Sequence, residues 1–139
     1  HDIGKLDELS GYPNNIYTNE GNFLGHVVMG YNMVDKAIAS IPDFPADLAL
    51  KLKHILLSHQ GEYENQSPKK PVFPEALLIH YLDELDARMD MMKNAISQEL
   101  DDGEWTSVKN YFRVPLYKSN KETNELPTTD NKTDTEKKS

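Results

Sequence analysis

The stretch EALLIHYLDELDARMDMMKNAISQEL, Glu75–Leu100, decides the fold class. Leu78, Tyr81, Leu82, Leu85, Met89, Met92 and Ile96 recur at intervals of three and four, the spacing that lines one face of an α-helix. The residues between them are mostly good helix formers, and no Gly or Pro interrupts the run. A helix over about 75–100 is therefore expected.

Two further helices follow from the same reasoning upstream. In NFLGHVVMGYNMVDKAIAS, Asn22–Ser40, the residues Leu24, Val27, Val28, Tyr31, Val34 and Ile38 share a face, and Pro42 halts the run. PADLALKLKHILLSH, Pro45–His59, opens on Pro, ends before Gly61 and aligns Leu48, Leu52, Ile55 and Leu56, with His59 continuing that row. Between them and the last helix, GEYENQSPKKPVFP at 61–74 carries three Pro and reads as a loop. The segment 105–113 is ambiguous between helix and irregular chain. No hairpin signal is present, so the expected fold class is all-α. The opening HDIGK is expected inside or at the end of a helix whose first half precedes His1.

The last 21 residues read SNKETNELPTTDNKTDTEKKS, with one aliphatic residue and no aromatic. Such a composition cannot offset the entropy of ordering, so 119–139 is expected to be a disordered polar tail behind a body over 1–118. The tail holds four Lys against five acids, so the body carries about −7 of the total charge of −8. A surface that binds nucleic acid by itself normally shows a basic excess. A polyanionic ligand of this body must instead be met by metal cations, a small basic patch or another domain. The chain has no Cys, which excludes thiolate metal sites and disulfides. No apolar run reaches membrane-spanning length.

The chemistry resides in five His and the acids near them: His1, Asp2, His26, His54, His59, His80, Asp83 and Asp86. Imidazole suits first-row divalent metals, and an adjacent carboxylate adds charge and can bridge two ions. A buried His at the end of an apolar row, as expected for His59, needs a hydrogen bond or a metal. His54 and His80 lie off the main rows of their helices and suit ordinary structural roles. Asp83 and Asp86 can equally belong to a solvated helix face.

The segments HDIGK (His1–Lys5), ELSG (Glu8–Gly11), YTNEGNFLGH (Tyr17–His26), HILLSHQGEYENQSPKKP (His54–Pro71) and EALLIHYLDELDARMDMM (Glu75–Met92) together resemble the HD domain of the YhaM-type 3′-5′ exoribonucleases of Firmicutes and relatives. The resemblance covers about 2–118. It implies an HD-domain helical bundle lacking its first helices, with His1, Asp2, His26, His59 and Asp83 as metal ligands and Asp2 as the bridging one. Asp86 is the alternative to Asp83. Lys5 matches a lysine that reaches a substrate phosphate, and Asp2 and Lys5 are the residues expected to serve catalysis. Lys69 and Lys70 are weaker candidates for the phosphate, and they read equally well as plain loop charges.

The implied cofactor is a divalent metal, Mn²⁺ before Mg²⁺, Co²⁺, Fe²⁺, Ni²⁺ or Zn²⁺. The implied partner is single-stranded RNA, held mainly by an OB-fold domain that this chain does not contain, in a bacterial cytoplasm. A homo-oligomer is compatible with the sequence. Two departures from the family pattern stand out. A further metal His usually lies upstream of the HD doublet, before this chain begins. The family also writes His-His-Gly where this chain has His59-Gln60-Gly61; Gln60 can bind a phosphate or water but is a poor metal ligand, and His54 is a distant substitute. The competing readings are an HD-type nucleotide or dNTP phosphohydrolase and a degenerate nucleotide-sensing HD module. Gly11-Tyr12-Pro13 matches the triplet of the HD-GYP cyclic-di-GMP phosphodiesterases, but at the wrong place in the domain. It is expected to form a turn after the first helix.

Overall fold

The computed structural model describes residues 1–118; the segment expected to be a disordered tail lies outside the described residues. The described chain is helical: α1 (Lys5–Glu8), α2 (Asn19–Ala39), α3 (Ala46–Ser58) and α4 (Pro74–Ser97), with one 3-10 turn at Tyr63–Asn65. The all-α expectation holds, and all three long helices lie where the periodicity puts them. Isolated antiparallel bridges at Leu9–Tyr17 and Trp105–Tyr117 are the sole β pairing among the described residues. The ambiguous segment 105–113 forms turns rather than a helix.

Helix α4 ends at Ser97, three residues before the expected end, and two further boundaries differ from the sequence reading. Helix α2 begins three residues earlier than expected, because Thr18 caps it: its Oγ1 accepts the Gly21 N–H at 2.9 Å, a standard N-terminal cap. Of the opening HDIGK only Lys5 lies in a helix, as the first residue of α1, so the segment leads into a helix rather than ending one. His1 and Asp2 precede a turn in which the Lys5 N–H donates to the Asp2 carbonyl and the Leu6 N–H to that of Ile3. The regular 1–4 pattern starts only with the Glu8 N–H on the Gly4 carbonyl. The doublet therefore sits at the entrance of α1. The Gly-Tyr-Pro triplet does form a turn, closed by the Asn15 N–H on the Gly11 carbonyl at 3.0 Å.

The chain divides into two compact units, His1–Arg88 and the residues from Met89 onward. In the first, α2 packs against both α1 and α3. Gly4 makes the α1 contact close. A Cβ there would lie 1.9 Å from the His26 carbonyl oxygen and 2.6 Å from the Gly30 nitrogen, both backbone atoms of α2. Only glycine permits that approach, and it holds the His1-Asp2 turn against α2. In the second unit, the Thr106 N–H donates to the Leu116 carbonyl, and Trp105 meets Tyr117 edge-on at 5.3 Å.

The interior is sparse in large apolar side chains. Among the described residues, Ala49, Leu56, Ala76 and Leu116 are the buried hydrophobic ones, while Glu8, Ser58, His59, Ser67 and Thr106 are buried and polar. Much of the apolar row expected to face inward on α4, including Leu78, Leu82 and Leu85, is more than half exposed. Periodicity correctly located the helix; burial of its stripe requires a partner surface that the described residues do not supply.

Candidate metal centre

Four chain segments contribute side chains to one cluster within the first unit, with His1, Asp2 and His59 at its middle and His26 and Asp83 joined through Asp2 and His1. The turn before α1 supplies His1 and Asp2, α2 supplies His26, the C-terminal cap of α3 supplies His59, and α4 supplies Asp83. His1 Nε2 lies 3.6 Å from Asp2 Oδ2 and 3.3 Å from Asp83 Oδ1. Asp2 Oδ1 faces His26 Nε2 at 3.5 Å and His59 Nε2 at 3.8 Å. One ligand atom from each of His1, Asp2 and His59 falls within 4.8 Å of the others. The rings of His1 and His59 are 4.9 Å apart, and those of His26 and His59 are 5.7 Å apart.

The tautomers are set from behind. His59 Nδ1–H donates to the Leu56 carbonyl at 2.7 Å, which leaves a lone pair on Nε2. Burial pushes the His59 imidazole below its ordinary pKa, partly opposed by that hydrogen bond and by Asp2, so the neutral ring is favoured. His26 Nδ1 lies 3.3 Å from Glu8 Oε1, the same carboxylate oxygen that accepts the His26 backbone N–H at 2.8 Å. With Nδ1–H turned to Glu8, the His26 Nε2 lone pair also faces Asp2.

Lone pairs facing a carboxylate at 3.5 and 3.8 Å are not hydrogen bonds. Two donors each ~2.1 Å from one ion at tetrahedral or trigonal angles lie ~3.4–3.6 Å apart, a spacing that the His26 pair matches and the His59 pair slightly exceeds. The donor set of three imidazoles and two carboxylates fits a first-row divalent metal and contains nothing that excludes one. Asp2 directs its two oxygens to different neighbours, Oδ1 to His26 and His59 and Oδ2 to His1 and Lys5. That division suits a bridging ligand. Lys5 Nζ donates to Asp2 Oδ2 at 2.5 Å, and this contact holds the ammonium above its usual pKa.

Glu8 is the residue that the sequence did not single out. It is buried, and its carboxylate braces both the ring and the backbone of His26. Its local signal is weak, an acid closing a four-residue helix in a chain rich in acids. The brace works because α2 breaks at Gly25, with φ +72° and ψ 157°. The break leaves the His26 N–H without an intrahelical partner and turns it toward Glu8. That backbone region is open essentially to glycine alone.

Other candidates lie elsewhere. His54 Nε2 accepts the Val72 N–H at 3.3 Å and its ring packs on Phe73, so it anchors the loop before α4. His80 Nδ1–H donates to the His59 carbonyl at 2.9 Å and fixes the backbone behind that ligand. Asp86 is exposed on α4 and takes no part in the ion pairs that join the cluster. Lys70 pairs with Glu62, and the Lys69 N–H donates to the Leu57 carbonyl; neither makes a hydrogen bond or ion pair with the five ligands. Gln60 lines a groove of about 460 Å³ that reaches the centre at His26.

No family model matches the chain, and no solved structure matches it. Among the described residues, no helix is long and apolar enough to cross a membrane.

Proposed function

We propose that this chain is a metal-dependent phosphodiesterase of the HD class, acting as a 3′-5′ exoribonuclease on single-stranded RNA and releasing nucleoside 5′-monophosphates. The observation that carries the reading is the convergence of His1, Asp2, His26, His59 and Asp83, with two Nε2 lone pairs turned to one carboxylate. The choice of RNA and of the 3′ end rests on the resemblance in the motifs quoted above.

His1, Asp2, His26, His59 and Asp83 would hold one or two ions, with Mn²⁺ preferred. When bound, a divalent metal lowers the pKa of water toward neutrality and offsets charge on a phosphoryl group. Asp2 provides the shared carboxylate. Glu8 and the Leu56 carbonyl hold the His26 and His59 rings in the ligating tautomer. Lys5, already poised on Asp2, is the protein cation placed to neutralise a non-bridging phosphate oxygen. Hydrolysis adds water across the P–O3′ bond; the 5′-phosphate keeps the new oxygen, and the departing 3′ oxygen takes a proton. The acidic body makes metal cations the main attraction for a polyanion, with strand binding left to the OB-fold domain that the resemblance implies.

Replacement of Asp2 by Ala tests the reading. Mn²⁺ affinity should fall more than ~100-fold, beyond what loss of an outer partner causes, and hydrolysis of a single-stranded oligoribonucleotide should vanish with it. Metal binding retained at the original strength in D2A would overturn the assignment. Hydrolysis of dNTPs with no action on RNA would move the protein to the nucleotide phosphohydrolase reading, which uses the same centre.

A further inference from the structure

The groove that meets the centre at His26 lies wholly within the first unit and is lined by Tyr17, Phe23, Gly25, Gln60 and Gln66, among others. Its volume of about 460 Å³ falls in the range of small-molecule sites. Three features define what it can hold. No Lys or Arg lines it and its one acidic residue is Glu8, so it holds no cation to balance a phosphate's charge. Two aromatic rings stand open at its wall, Phe23 at 88% exposure and Tyr17 at 60%. The side-chain amides of Gln60 and Gln66 make no hydrogen bond within the described residues, so donors and acceptors are free there.

Bare rings beside free amides, without cations, match a planar heterocycle that stacks by its face and hydrogen-bonds by its edge. His26 is the one of the five metal ligands that also lines the groove, so the anionic part of the same ligand would extend past it toward the centre. We infer that this groove receives the nucleoside of the terminal nucleotide, with the base stacked on Phe23, the more open of the two rings, and its edge met by Gln60 and Gln66. The inference rests on the phosphodiesterase reading for the phosphate that enters at the centre. It also gives Gln60 a role: the residue that departs from the family's second His serves the substrate's neutral half.

The test compares adenosine 5′-monophosphate with ribose 5-phosphate, which lacks the base, as ligands of the ¹⁵N-labelled full chain in Mg²⁺ buffer. Amide shifts should cluster at Asn22–Val28, Gln60 and Gln66, and the nucleotide should bind roughly tenfold more tightly than the sugar phosphate. F23A should bring the two ligands to within about twofold of each other. Phe23 is almost fully exposed, so that variant should fold. Equal binding of the two ligands by the unaltered chain, shifts confined elsewhere, or a preference undiminished in F23A would overturn the inference. Hydrolysis of bis-p-nitrophenyl phosphate by the unaltered chain, measured alongside with Mn²⁺, separates the two ideas. Hydrolysis without nucleotide preference sinks the groove and spares the phosphodiesterase; preference without hydrolysis supports the groove and sinks the phosphodiesterase.

Discussion

Asp2 stands between two sets of partners, and the residues behind those partners determine what the centre can bind. Glu8 is such a residue. Removing its carboxylate in E8A leaves the His26 ring free to rotate and its N–H unpartnered, so Mn²⁺ affinity should fall by about 10–100-fold. E8Q keeps an acceptor oxygen and should retain most of the affinity; isothermal titration of both variants is the check. His59 controls a different property. Its folded pKa lies below that of the unfolded chain, so the unfolded state binds more protons in the interval between the two. The metal-free protein should therefore have its full stability above pH ~6.5 and lose it as pH falls toward the folded value. Urea titrations at pH 7.5, 6.5 and 5.5 should show that decline, and H59Q should flatten it.

At the scale of elements, the site depends on how helices begin and end. His59 caps α3, His26 restarts α2 after its break, and Asp2 stands before α1. Gly25 creates the break, and Gly4 lets the first turn approach α2. G25A places a Cβ in a backbone region hostile to L-residues, at a cost of about 1–3 kcal/mol. Thermal melts should show that loss together with weaker Mn²⁺ binding, because relief of the strain moves the His26 N–H away from Glu8. A melting temperature lowered with metal affinity intact would show that the break is a matter of stability alone. Of these features, the helices were legible in apolar spacing, and the positions of Pro42, Pro45 and Gly61 marked where two of them end or begin. The Gly25 break was not legible, since a lone glycine within a helical pattern is usually tolerated.

For the molecule as a whole, the imbalance lies between polar groups buried and apolar groups exposed. Among the described residues, His59 and Ser58 are the largest fully buried side chains, whereas Leu78, Leu82 and Leu85 leave more than half their area in contact with solvent. Exposed apolar stripes on that scale bind other surfaces or hydrophobic dyes. The chain should enhance anilinonaphthalene sulfonate fluorescence at neutral pH, and the triple variant L78Q/L82Q/L85Q should reduce that enhancement at unchanged helicity by circular dichroism. The sequence by itself determined the all-α class, the three long helices and the pool of His and Asp from which a metal site can be drawn, because periodicity and residue chemistry are local properties. Only the tertiary structure decided which of them meet. It drew His1, Asp2, His26, His59 and Asp83 together, set His54 and Asp86 apart, and brought Glu8 into service, because these contacts join residues distant along the chain through the close approach of α1 and α2.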